Sequence, residues 1–115
     1  MKVKKGEYRI STHDGWKIEE GSYISCYPFL IHRQKDETRK RTWNLSHQAT
    51  GYAIKRDILL KEAKSLAEAL KGYPLLLVPT METFNLQRDI LKEKNPQQYD
   101  NIIKTINTNG VSHEQ

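Results

Sequence analysis

The sequence predicts an α+β fold: a four-stranded antiparallel sheet covered by one helix, then a short extended segment and two further C-terminal helices. Three observations carry that reading. Apolar and polar residues alternate through much of the first 54 positions, the period of half-buried strands. Residues 60–71 switch to the 3.6-residue spacing of an amphipathic helix. Beyond Pro79, two more helical patterns each begin with a start signal of their own.

Residues 7–12 put Tyr8 and Ile10 on one side, as a half-buried strand requires. Asp14-Gly15 is a tight-turn dipeptide, after which Trp16 and Ile18 alternate with Lys17 and Glu19 in a short second strand. Glu20-Gly21-Ser22 is expected to turn the chain again. Residues 22–32 then form a longer strand through Ile24, Cys26, Phe29 and Ile31. Pro28 cannot donate to a ladder, and the change of parity across it predicts a bulge. Residues 33–41 contain no apolar side chain and read as the tip of a long hairpin. The fourth strand sets Trp43, Leu45 and His47 on one face and Thr42, Asn44 and Ser46 on the other. It kinks at Thr50-Gly51 and continues through Tyr52 to Ile54.

The covering helix follows from Leu59, Ala63, Leu66, Ala67 and Leu70, opposed by Lys61, Glu62, Lys64, Glu68 and Lys71. Gly72 stands where helices commonly end. Tyr73 to Pro79 is a short apolar run fenced by prolines, a buried strand or a connecting segment. Thr80 is a cap for a helix over residues 81–94, and Asn95-Pro96 restarts a last one. In domain terms, residues 1–79 are the sheet-and-helix core and residues 80–106 a helical extension of it. Residues 107–115 lack apolar periodicity and are expected to be disordered.

A chain of 115 residues suits one domain. Its 37% hydrophobic content and mean hydropathy of -0.78 allow only a thin core, or one completed by a partner or by a homodimer. The formal charge of +5 is unevenly spread: residues 1–41 hold ten Lys/Arg against six Asp/Glu, the remainder nine against eight. The excess lies in Lys2, Lys4 and Lys5 and in Arg33, Lys35, Arg39, Lys40 and Arg41, a distribution that favours a polyanion. The lone Cys26 allows no internal disulfide and reads as a small buried hydrophobe. Without a signal-like or membrane-length apolar run, the chain is expected to be cytoplasmic and free of membranes.

Chemistry is sparse. No glycine-rich phosphate loop opens a helix, and the histidines show no metal-site spacing, so neither a cofactor nor a metal is expected. Ser46 and His47 are neighbours on one strand and point to opposite faces, so they cannot form a dyad. His47 reads as a satisfied, partly buried histidine. Asp14 and Asp57 read as turn and cap residues, and Glu19-Glu20 as a solvated strand end. No catalytic residue emerges, and the chain is expected not to be an enzyme.

The aromatics point elsewhere. Those of the predicted strands are interleaved with Arg and Lys, the pattern of sheets that stack single-stranded bases, although the same residues also suit a core. On this reading Lys2, Lys4, Lys5, Arg33, Lys35, Arg39, Lys40 and Arg41 contact phosphates. Trp16, Tyr23 and Tyr27 stack on bases where they face away from the helix.

The segment Trp43-x-Leu45-Ser46-His47-x-x-Thr50-Gly51-x-Ala53, with Lys61-Glu62-Ala63-x-x-Leu66-Ala67 after it, resembles small uncharacterised proteins of Gram-positive phages and mobile elements. By order of elements alone the chain is similar to the Whirly and transcriptional-cofactor group of single-stranded DNA binders. That likeness implies a curved sheet with nucleic acid on a basic, aromatic face. The expected function is therefore a non-enzymatic nucleic-acid-binding accessory protein, single-stranded DNA being the favoured ligand. The alternative is a module that binds and inhibits a host or defence protein through residues 33–41 and the last-helix stripe Tyr99, Ile102, Ile103 and Ile106.

Overall fold

The computed structural model describes residues 2–12, 14–34 and 42–109. Five strands come first: β1 (Lys4–Thr12), β2 (Gly15–Cys26), β3 (Phe29–Gln34), β4 (Thr42–His47) and β5 (Ala53–Leu59). Helix α1 (Leu60–Leu70), a 3-10 turn (Pro74–Leu77), α2 (Met81–Lys94) and α3 (Pro96–Asn109) follow. The fold class is the expected α+β, built on one antiparallel sheet in the order β1-β2-β3-β4-β5.

The strand count is five, not four, because local punctuation misleads at three points. Glu20-Gly21-Ser22 does not turn; it lies inside the 12-residue β2. A Cβ on Gly21 would run into the Arg33 carbonyl oxygen, so glycine here permits close approach of β3 and not a reversal of direction. The parity change at Pro28 is a two-residue hairpin and not a bulge: Cys26 pairs with Phe29 across Tyr27-Pro28, a cis peptide. Thr50-Gly51 separates two strands instead of kinking one, since Gly51 has φ +72 and its N–H donates to His47 O at 2.7 Å. The proline-fenced run is the 3-10 turn.

The core lies between one sheet face and the helices. Ile24, Phe29, Ile31, Trp43, Leu45 and Ile58 meet Ala63, Leu66, Ala67 and Leu70 of α1, joined by Leu75, Leu76 and Ile102. Cys26 packs partly buried against this core, and burial pushes its thiol pKa up. The expected stripe on α1 shifts at its start. Leu59 is exposed, while Glu62 turns inward and accepts a hydrogen bond from Leu59 N at 3.0 Å, closing the first turn. The N-terminal signals of the other two helices behave as read. Thr80 Oγ1 accepts from Thr83 N at 3.1 Å, and Asn95 Oδ1 accepts from Gln98 N at 3.2 Å. Helix α3 runs through Asn109, so residues 107–109 of the expected tail are its last turn; the rest lies outside the described residues.

His47 anchors the 3-10 turn to the sheet. Its Nε2 donates to Leu76 O at 2.7 Å, and its Nδ1 lies 3.0 Å from Thr50 Oγ1. Both ring nitrogens are thus satisfied in the interior, and burial pushes the pKa down, keeping the ring neutral.

The far side of the sheet is concave. Ser11 N, on the outer edge of β1, donates to Gly51 O at 2.9 Å, so the β1–β2 hairpin curls over to meet the β4–β5 turn. Trp16 covers that seam, close enough that a Cβ on Gly51 would lie 2.5 Å from its ring.

Candidate functional site

The concave face encloses a cavity of about 240 Å³. Its floor comes from the three middle strands: Glu19 of β2, His32 and Gln34 of β3, and Asn44 and Ser46 of β4. In register, His32 lies opposite Asn44, with Ser46 one diagonal step away. The central strands therefore alternate apolar residues toward α1 and hydrogen-bonding residues toward the cavity. Ile10 of β1 and Ala53 of β5 come from opposite edges of the sheet and form facing walls.

The rim uses an irregularity. Trp43 pairs with Ile58 but Leu45 with Lys55, so β5 carries an extra residue in between. On a regular strand Arg56 and Asp57 would face opposite sides; the bulge lets both line the cavity. Asp57 holds a left-handed φ of 56, and its N–H donates to Asn44 Oδ1 at 3.2 Å. It is therefore a bulge residue and not the helix cap expected, because Leu59 occupies that position.

Inside, His32 Nε2 and Ser46 Oγ are 2.7 Å apart. Ser46 thus meets a histidine, but the one on the neighbouring strand, while His47 faces the core as anticipated. His32 is 5% exposed, and its Nδ1 has no hydrogen-bond partner among the described residues. Burial, and then the charge of Arg56, lower its pKa to about 4. A neutral ring accepting from Ser46 would leave a buried N–H orphaned, the costlier arrangement. With Nε2–H as donor instead, the ring offers Ser46 no lone pair, so the contact ties β3 to β4 and does not activate the hydroxyl. Glu19, expected as a solvated strand end, is mostly covered; it accepts a hydrogen bond from Gln34 Nε2 and lies 3.7 Å from Lys17 Nζ. Among the described residues no group of three His, Cys, Asp or Glu gathers as metal ligands, and no helix is long and apolar enough to cross a membrane.

The residues expected to bind nucleic acid divide. Lys2, Lys4 and Lys5 are exposed. Lys5 pairs with Ser22, and Ser22 with Arg33, so Lys5 and Arg33 stand in one row two strands apart. Arg33 lies 4.3 Å over the ring of the buried Trp43. Lys35, Arg39, Lys40 and Arg41 lie outside the described residues, in the connection between Gln34 and Thr42.

The three aromatics do not form one platform. Trp16 is 42% exposed on the outer face, with the Arg9 guanidinium 4.6 Å from its ring. Tyr23 turns to the concave face beside Tyr8. Tyr27 sits at the β2–β3 turn, its hydroxyl donating to Leu77 O at 3.3 Å. Adjacent-parity positions and a turn cannot share a face, which sequence order alone does not reveal. The α3 stripe divides too: Ile102 is core and Ile106 packs against it. Ile103 is exposed, and Tyr99 stacks under Lys92, whose Nζ is 5.0 Å from its ring.

No protein-family model matches the chain, and no curated protein or solved structure matches it, so the functional reading rests on the geometry above.

Proposed function

We infer that this chain is a non-enzymatic nucleic-acid-binding accessory protein of a phage or mobile element, with single-stranded DNA as its favoured ligand. The reading is carried by the cross-strand row Lys5–Ser22–Arg33, which sets two cations on one face of the sheet at the root of the strongly basic connection 33–41. Cations far apart in sequence thereby gather at one end of the sheet, as a track for phosphates requires. Exposed Trp16, backed by Arg9, adds an aromatic surface suited to stacking.

Fluorescence polarisation with labelled single- and double-stranded oligonucleotides tests it. At ~50 mM salt binding is expected, and three or four phosphate contacts should give a log–log salt slope of roughly -2 to -3 for single strands. Charge reversal at Lys4 and Lys5 should weaken binding and flatten that slope. No binding to either form at low salt would refute the reading.

A second reading, an inhibitory module for a host or defence protein, has a specific observation in its favour. Leu86 is 60% exposed and Ile90 42% exposed, one turn apart on α2. A pull-down from bacterial host extract that depends on both side chains, from a chain that binds no oligonucleotide, would favour it.

A further inference from the structure

We propose that the concave cavity is a pocket for a single unstacked nucleobase, which makes the protein selective among bases and not a uniform coat for single strands. The inference rests on the nucleic-acid reading above and adds to it the ligand of the cavity.

The argument begins from the shape of the chemistry. A nucleobase has two apolar faces and a polar edge on which donors and acceptors alternate. The cavity has the complementary arrangement. Ile10 and Ala53 approach from opposite sheet edges as apolar walls, while the middle strands present a hydrogen-bonding floor.

The unused valences on that floor are of both kinds. Gln34 Nε2 is committed to the Glu19 carboxylate, which needs a donor, so Gln34 Oε1 is the amide atom left over as an acceptor. Asn44 Oδ1 is committed to Asp57 N–H, which needs an acceptor, so Asn44 Nδ2 is left as a donor. Neither of these atoms has a partner among the described residues. At the rim, the Arg56 guanidinium and the Asp57 carboxylate likewise have none there, although each lines the cavity.

Two further features fit a built site. The bulge that aims Arg56 and Asp57 inward holds Asp57 in a left-handed conformation that a non-glycine residue rarely adopts, and such backbone strain collects where a side chain is positioned for use. The contact between His32 Nε2 and Ser46 Oγ ties the two floor strands together without adding a charge. Lys4, paired with Tyr23 and through it aligned with His32, stands on the cavity side of the sheet, where it can hold a backbone whose base enters the cavity. Single-strand recognition by splayed bases has this form.

Polarisation titrations with dA, dC, dG and dT octamers and with an abasic octamer, at fixed salt, test the proposal. One base is expected to exceed the others by about 5- to 150-fold, the span of a good bidentate base contact. Ala53→Phe, which fills the cavity from an exposed position, should abolish that preference while leaving the salt slope unchanged. Asp57→Asn, a residue equally tolerant of the left-handed conformation, should change which base is preferred. A second measurement does not depend on the variants folding: the Gln34 and Asn44 side-chain amide resonances of the unmodified protein should shift with the preferred octamer and not with the abasic one. Equal affinity for all five octamers, or unmoved amide signals, would overturn the base pocket and leave the nucleic-acid reading standing. Absence of binding to every octamer would overturn both.

Discussion

Acidification should destabilise this protein through His32. The ring is buried and neutral, with a folded-state pKa of about 4 against 6.5 for the free side chain. Between those values the unfolded chain binds a proton that the folded chain refuses, so stability rises with pH across the window. It is complete above about pH 6.5 and is lost as pH falls toward 4. At about 1.4 kcal/mol for each tenfold change in proton affinity, the difference between 6.5 and about 4 amounts to about 3.5 kcal/mol. That is a large share of the roughly 5–15 kcal/mol that holds a small domain together. His47, also depressed by burial, contributes in the same direction. Urea unfolding followed by far-UV circular dichroism at pH 7.5, 6.5, 5.5 and 4.5 measures the curve. His32→Gln, which keeps a donor for Ser46 but does not titrate, isolates the residue from the carboxylates that begin to protonate in the same range. The variant should lose less stability on acidification than the wild type, by about 2 kcal/mol at pH 4.5 relative to pH 7.5. Parallel pH profiles for the two proteins would refute the assignment of a buried, neutral His32.

Two further perturbations test the packing. Gly51→Ala should destabilise by about 2–4 kcal/mol, since φ is +72 there and the new Cβ would lie 2.6 Å from Ser11 N; a midpoint unchanged in urea would mean that the β1 seam is not closed as described. Ile102→Ala should cost about 2–4 kcal/mol whereas Ile103→Ala, at a 40% exposed position, should cost under about 1 kcal/mol; equal effects in thermal melts would contradict the division of the α3 stripe into core and surface.

What could be read from the chain alone is what depends on near neighbours. Helix α1 follows from its 3.6-residue stripe, and Thr80 and Asn95-Pro96 announce α2 and α3 because a cap satisfies backbone groups within three residues of itself. His47 was legible as a satisfied core histidine, because its parity matches Trp43 and Leu45. The α+β class follows from the two periods together.

The tertiary structure decided whatever depends on pairing. Gly21 looks like a turn and is a strand residue, since only the approach of Arg33 reveals why a side chain is missing there. Trp16 and Ile18 alternate like core residues yet stay exposed, because the hairpin carrying them extends beyond the helices. The cavity was barely visible in advance. Its one local sign is that β3 and β4, strands with neighbours on both sides, keep polar residues at alternate positions: His32 and Gln34, then Asn44 and Ser46. Glu19 and Ile10 join them only through the curl of the sheet, and Arg56 with Asp57 only through a bulge. Periodicity states which side of a strand is apolar, but where the other side converges is set by curvature and register, which residues distant in sequence determine together.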